Sequence, residues 1–162
     1  SSAASDVYKR QVVDSNGVPQ YDGSYLALLI HEFNHSFVNP LLTDHAALLE
    51  RSGKILLATT RYAMAVQAYG NWQTLLNESL VRAATICYMQ AHDYPLRTVK
   101  AMLVEELSRN FYWMPELVGL LHEYERERSA YPTFASFCPR IAAFFDGVAE
   151  TQVNRIEAVL QQ

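Results

Sequence analysis

Proline and glycine divide the chain after Gly23 into stretches of helical length, which limits the fold to packed helices. Proline cannot continue a helix, and glycine commonly ends one. Between these breaks, apolar residues recur at the three- and four-residue spacing of an amphipathic helix. The predicted helices span residues 25–38, 43–51, 55–69, 72–92, 96–109, 116–128 and 139–160, the last one whole or divided near Gly147.

Particular residues set the predicted helix ends. Asn39 and Pro40 close the first helix, because proline also disfavours helical geometry in the residue before it. Thr43 caps the short second helix, which is interrupted near Gly53. Gly70 terminates the third helix.

The segment before Gly23 differs from the rest. Residues 14–19 give a strong turn signal between short extended pieces. Residues 1–11 have no periodicity and look like a leader or scar foreign to the natural protein. We therefore expect one domain at residues 12–162, mainly α with little or no β-sheet, truncated at its N-terminus and forming the C-terminal part of a longer protein.

Composition excludes several classes of protein. The 162 residues suffice for one packed core, and a chain that is half hydrophobic and 19% charged has an ordinary globular composition. The 13 basic residues are scattered, so no nucleic-acid surface is indicated. The apolar runs are too short for a transmembrane segment, and no signal peptide is visible in the chain. Oligomeric state is left open.

The two cysteines do not define a site. Cys87 and Cys138 lie 51 positions apart and form no CxxC pair. A disulfide scaffold or a thiolate zinc site needs more cysteines, closer together. Both are expected to be small buried hydrophobic residues.

The sequence His31-Glu32-Phe33-Asn34-His35 is an HExxH motif inside the first predicted helix. Residues four apart lie one turn above each other on the same helix face, so both imidazoles can bind one Zn²⁺ at about 2.0–2.1 Å. Glu32 lies about a quarter-turn away, where its carboxylate can take a proton from a zinc-activated water. The alternative is a pair of core histidines beside a salt-bridged glutamate. The apolar stretch 25–30 favours the metal site.

A hydrolytic zinc site takes three protein ligands and leaves a fourth position for water. Glu78 is the preferred third ligand, because it is a lone carboxylate at the start of an apolar helix and a buried glutamate needs a positive partner. Arg82, one turn later, is the alternative partner of Glu78. His45 is the second candidate ligand, although it follows the break at Pro40 and does not fit the pattern HExxHxxGxxH. Other residues stay open.

With HExxH on one helix and Asn77-Glu78 opening another 43 positions later, the chain resembles the gluzincin metallopeptidases, the thermolysin-like group. The string LIHEFNHSFVNP at residues 29–40 more narrowly resembles a family of HExxH domains from gut Bacteroidetes, as do residues 131–134 and 139–141. The resemblance covers roughly residues 17–145. It implies a zincin-like helical catalytic domain, secreted or attached to the cell envelope, that acts on peptides or proteins.

Two features depart from the gluzincin pattern. Gluzincins often have an aspartate four residues after the ligand glutamate, which orients a histidine, whereas this chain has Arg82. The orienting carboxylate must come from elsewhere, with Asp44 and Glu50 as candidates. Zincin folds also place a sheet before the first histidine helix, and its edge strand binds the substrate. The candidate strand here is at most a few residues within 7–13, so that sheet is expected to be largely missing or to lie outside this chain.

A peptidase also needs a donor that stabilises the tetrahedral oxyanion. Six side chains are chemically able, and each is more readily explained as a packing residue. They are Tyr88, His92, Tyr94, Tyr112, His122 and Tyr131. Tyr112 lies in an aromatic link between helices, a suitable cleft wall. Arg109 can bind a substrate carboxylate, although completing its helix with a favourable dipole charge is the preferred role.

These features predict a zinc-dependent endopeptidase or aminopeptidase, with His31, His35 and Glu78 as metal ligands and Glu32 as general base. The alternative is a non-catalytic helical domain, either a zinc-stabilised binding module or an inactive fragment of a metallopeptidase. Glu32 favours catalysis, because a structural zinc site needs no base and is usually closed by four protein ligands. The short segment before the first helix favours the alternative.

Overall fold

The computed structural model of the protein describes residues 12–20 and 25–161. The proposed leader at residues 1–11 lies outside the described residues, as does most of the candidate strand at 7–13. The helices are α1 (Leu26–Asp44), α2 (Ala46–Val66), α3 (Trp72–Ala91), α4 (Leu96–Ser108), α5 (Met114–Arg126) and α6 (Phe134–Leu160). The fold is mainly α, as predicted.

Two short strands precede the helices. β1 (Val12–Val13) pairs antiparallel with β2 (Pro19–Gln20). The Asp14 carboxylate accepts hydrogen bonds from the backbone N–H groups of Asn16 and Val18, and Gly17 takes the left-handed conformation. Such side-chain bonding to the backbone two residues on is typical of aspartate in turns. The predicted turn between short extended pieces is confirmed.

Helix α3 lies at the centre of the fold. It packs against α1, α2, α4 and α5, while α2 also packs against α6. Asn71 caps α3 by accepting a hydrogen bond from the backbone N–H of Thr74. Eleven residues of α3 are buried, among them Leu80 and Ile86. An all-round buried helix is expected at the middle of a helical core.

Helix α1 continues through Pro40 instead of ending there, so the predicted first helix is too short. Its extension buries Leu42 together with Val38. Fully burying a leucine contributes about 1.5–3 kcal/mol, which offsets much of the cost of an interior proline, about 3 kcal/mol. Thr43 is therefore inside α1, where its hydroxyl donates to the Asn39 carbonyl, and does not cap the next helix.

Helix α2 is continuous through Gly53, so the predicted interruption is wrong. A Cβ atom on Gly53 would lie 2.7 Å from Cε3 of Trp72 and 3.1 Å from Cδ1 of Leu76. The glycine therefore permits the close approach of α2 and α3 and is not a helix break.

The remaining helix ends follow the predictions more closely. α3, α4 and α5 each differ from the predicted bounds by two residues or fewer at either end. α2 ends earlier than predicted, at Val66, and the left-handed residue that follows it is Ala68 instead of Gly70. α6 begins at Phe134, five residues before the predicted start at 139, behind a capping box formed by Thr133 and Ser136, and it is not divided at Gly147. Within the residues that the structure describes, no helix is long and apolar enough to cross a membrane.

Candidate metal centre

The two histidines of the HExxH motif lie one turn apart on α1, on the side that faces α3. Their Nε2 atoms are 3.3 Å apart, and the rings meet edge to face. Both side chains are partly buried, with 17% of His31 and 23% of His35 exposed. The helical spacing brings the two imidazole rings together, and the packing of α1 on α3 directs both rings towards α3.

Glu78, in the second turn of α3, completes a three-residue cluster. Its Oε1 lies 3.3 Å from Nε2 of His35, and its Oε2 lies 3.6 Å from Nε2 of His31. One ligand atom from each side chain lies within 4.8 Å of the other two. Tetrahedral bonds of about 2.0–2.1 Å place ligand atoms about 3.3–3.4 Å apart, so the observed separations suit one Zn²⁺.

Burial lowers the pKa of His31 to about 4. The neighbouring Glu78 carboxylate opposes this effect, whereas the nearby Arg82 and Arg109 guanidinium groups add to it. The His31 imidazole is therefore neutral near pH 7. Neutral imidazole is the form that coordinates metal ions.

Asn39 orients His35, a role that the sequence assigned to a carboxylate. The side-chain oxygen of Asn39 lies 3.2 Å from Nδ1 of His35 and can accept its N–H. Asp44 is exposed at the end of α1, and the exposed Glu50 pairs with Lys54 at 2.6 Å. No described contact joins either carboxylate to the histidines. Asn39 can reach His35 only because α1 continues through residue 40.

Arg82 and Tyr69 hold the other side of Glu78. The Arg82 Nε donates to Glu78 Oε2 at 3.2 Å, and the Tyr69 hydroxyl donates to the same oxygen at 3.3 Å. Arg82 also donates from Nη2 to the Tyr69 hydroxyl at 2.8 Å and from Nη1 to both oxygens of Glu106. The two partners proposed for Glu78, the histidines and Arg82, therefore both contact it.

A cleft of about 530 Å³ opens onto this cluster. Its wall is polar and comes from α1, α3 and the link between α2 and α3. The lining residues are His31, Glu32, His35, Asn39, Gln67, Tyr69, Thr74, Asn77, Glu78 and Arg82. The proposed base Glu32 and the three proposed ligands therefore share one cleft.

Tyr69 lines this cleft, although sequence analysis did not single it out among the ten tyrosines of the chain. The turn after α2 places it, because its backbone N–H donates to the Met64 carbonyl next to the left-handed Ala68. The only sequence feature that could have indicated its position is that it directly precedes Gly70 and the helix cap Asn71.

The candidate donors named from the sequence are not among the cleft-lining residues. Tyr112 lines a different cleft, of about 650 Å³, beside α6. His122 contacts Gln90 and Glu125. The rest are held elsewhere: Tyr88 is stacked on His92, Tyr94 packs on the core, and Tyr131 meets Phe137 edge to face.

Arg109 and His45 also have other contacts. Arg109 ends α4 and pairs with Glu105 at 2.6 Å and with Glu106 at 3.4 Å, which agrees with the preferred role at a helix end. His45 lies between α1 and α2, where its Nδ1 is 2.9 Å from the Leu41 carbonyl. Among the described residues, the cluster that could hold a metal ion contains Glu78 and not His45.

The fold and the cluster define a helical protein with a two-histidine, one-glutamate centre in a polar cleft. The chain belongs to the family described as a domain of unknown function, DUF4932, whose model matches residues 7–144. The match includes both strands, all of α1 to α5 and the last five residues of the segment 1–11. No curated protein and no solved structure matches the chain.

Proposed function

We propose that the protein is a zinc-dependent peptidase whose metal is held by His31, His35 and Glu78. The observation that supports this most directly is the convergence of the two Nε2 atoms and the Glu78 carboxylate in a cleft that Glu32 also lines. Two histidines and one glutamate form a ligand set found at hydrolytic zinc sites. By resemblance, the proposed location is secreted or at the cell envelope.

The donor set suits zinc better than calcium or magnesium. Imidazole nitrogens are ligands for zinc and other transition metals, whereas calcium and magnesium prefer oxygen ligands. A zinc ion held there would supply a Lewis acid and would lower the pKa of water towards 7. Three protein ligands leave a coordination position for that chemistry.

Glu32 and Tyr69 are the side chains proposed to act on the substrate. The Glu32 carboxylate takes the proton of the attacking water and passes it to the leaving amine, which is general acid–base catalysis. The Tyr69 hydroxyl, which now donates to Glu78, is proposed as the donor to the developing oxyanion. Both side chains line the cleft, and neither is among the proposed metal ligands.

One observation favours the alternative, a zinc-stabilised binding module without catalysis. The strands among the described residues are two residues long each, and no residue of 12–20 lines the cleft. An extended peptide usually adds to an exposed strand edge, which gives it main-chain hydrogen bonds. Without such an edge, a peptide carbonyl is less well positioned for attack, and positioning supplies much of the rate of an enzyme.

One experiment on the purified chain distinguishes the two functions. The metal-free protein is titrated with zinc, and bound metal is measured by elemental analysis together with the melting temperature. Zinc at 100 times its Kd should stabilise the fold by about 2.7 kcal/mol. A library of quenched fluorescent peptides is then incubated with the metal-free and the zinc-loaded protein.

The peptidase predicts hydrolysis that appears with zinc, disappears with a chelator and returns on reloading. Zinc binding without any hydrolysis supports the binding module. Failure to bind one zinc ion per chain rejects both. A His35→Ala variant serves as the control, because it removes a proposed ligand that is only partly buried and is not one of the buried core residues.

A further inference from the structure

Glu106 on α4 is a buried carboxylate near the proposed metal centre, 24 residues after Arg82 in the sequence. Only 7% of it is exposed. Both of its oxygens accept hydrogen bonds from Arg82 Nη1, at 3.0 and 3.1 Å, and Arg109 Nη1 lies 3.4 Å from Oε1. Buried charges are costly unless they are paired, so Glu106 and Arg82 must become buried together on folding.

Arg82 is fixed on three sides. Its Nη1 faces Glu106, its Nε donates to Glu78, and its Nη2 donates to the Tyr69 hydroxyl. The guanidinium carbon also lies 5.3 Å above the ring of the fully buried Phe111. A rigid, planar fork of donors transmits the position of one carboxylate to another, because the angles between its N–H groups do not change.

Glu78 has its two oxygens in different surroundings as a result. Oε2 accepts from both Arg82 and Tyr69 and lies 3.6 Å from His31 Nε2, whereas Oε1 lies 3.3 Å from His35 Nε2. Arg82 and Tyr69 thus hold the carboxylate by Oε2, and Oε1 is directed towards His35. This arrangement favours one-oxygen coordination of a metal.

We propose that Glu106 is a positioning residue of the metal centre, which acts through Arg82 to orient Glu78. The inference rests on the metal site proposed above. It adds a residue from a third helix, α4, to a site whose proposed ligands come from α1 and α3.

The test compares Glu106→Gln with Glu105→Gln in the full chain. Glu105 is the neighbouring residue on α4; it is 57% exposed and pairs with Arg109, so its variant has the same charge change without contact to Arg82. Zinc affinity is measured by competition with a chromophoric chelator, and the site geometry by the visible absorption of bound Co²⁺. Removing such an outer partner typically costs about 10- to 100-fold in metal affinity. We expect that loss and a shifted Co²⁺ spectrum for Glu106→Gln alone.

The route through Arg82 is tested by a double variant. In an Arg82→Gln background, Glu106→Gln should change zinc affinity by less than about 2-fold, because coupled residues are not additive. If Glu106→Gln does not fold, Glu106→Asp replaces it, since it keeps the charge but shortens the reach; a shifted Co²⁺ spectrum is expected there too.

Two outcomes overturn the inference. If the folded Glu106 variant binds zinc with wild-type affinity and has an unchanged Co²⁺ spectrum, the Arg82–Glu106 pair has only a structural role. The proposed zinc site would be unaffected by that result. Failure of the wild-type chain to bind zinc or Co²⁺ would reject the metal site and this inference together.

Discussion

The two faces of α3 differ in what they bury. On one face, Glu78 lies beside the two histidines of α1, while Arg82 and Thr85 form hydrogen bonds with residues of α4 and α1. On the opposite face by helical periodicity, Leu80 and Cys87 are enclosed by the core. We call these the polar face and the apolar face of α3.

The difference indicates where function is to be sought. Apolar burial contributes to stability in proportion to the area removed from water. A buried ion pair such as Arg82–Glu106 contributes little net stability, because desolvation offsets the attraction between the charges. The helix could have been apolar on both faces and at least as stable. The proposed metal site would give the polar face a role that stability alone does not explain.

The largest expected effect concerns Glu32, which lines the cleft beside the polar face. Glu32→Gln should lower the kcat of peptide hydrolysis about 10²- to 10⁴-fold, because an amide cannot take the proton of the attacking water. Zinc content and melting temperature should stay at wild-type values, since Glu32 is not one of the three clustered ligands.

The measurement is steady-state hydrolysis of one fluorescent peptide, alongside elemental analysis of the same sample. Wild-type kcat in a zinc-loaded Glu32→Gln protein would remove Glu32 from the mechanism. It would also weaken the distinction between the two faces of α3, because the cleft would then lack its proposed base.

Substitutions on the apolar face should lower stability and leave zinc binding intact. Leu80 is fully buried, so Leu80→Ala should cost about 2–5 kcal/mol of the free energy of unfolding. Folded Leu80→Ala protein should still bind one zinc ion. Leu96→Ala is the matched control, because Leu96 is 66% exposed and its loss should change stability by less than about 0.5 kcal/mol. Urea unfolding measures both; loss of zinc without loss of stability would contradict the comparison.

The polar face could be predicted from the sequence only where the chemistry is local. The spacing of His31 and His35 follows from one helix turn, and Glu78 stands out because its neighbours are apolar. Their close approach in space was expected and is found, while their role as ligands stays a prediction. Glu106 could not be recognised, because next to Glu105 it looks like part of a solvated helix face and only the packing of α4 on α3 buries it.

The fold was predictable where local rules apply, and the largest errors involve contacts between helices. Local rules gave α3, α4 and α5 within two residues at each end, whereas α6 begins five residues earlier than predicted. They failed at Pro40, where the burial of Leu42 offsets much of the proline penalty, and at Gly53, where the glycine permits the close approach of Trp72. Asn39 was missed as a partner of His35 because a helix that stops at residue 38 cannot present it.

The Gly53 contact gives a smaller effect at the junction of α2 and α3. Gly53→Ala should destabilise the protein by about 1–3 kcal/mol, because the new Cβ would lie 2.7 Å from Trp72 and force the helices apart. Gly119→Ala on α5 is the control, since its Cβ meets nothing within 4 Å and it should stabilise by about 0.5–1 kcal/mol. Equal effects of the two changes in urea unfolding would show that Gly53 has no packing role.

The smallest expected effect is the low reactivity of the two cysteines towards alkylating reagents. Burial raises the pKa of the Cys87 thiol to about 12 and that of Cys138 to about 11. Since both values lie above the ordinary one, the thiols stay protonated at pH 8, and the thiolate is the form that reacts with alkylating reagents. Iodoacetamide should therefore label the folded protein very slowly and label both cysteines in urea, as counted by mass spectrometry.

Zinc should not change the labelling of Cys87, because it lies on the apolar face, away from the cluster. Zinc-dependent protection of Cys87 in the folded protein would show that the two faces are coupled.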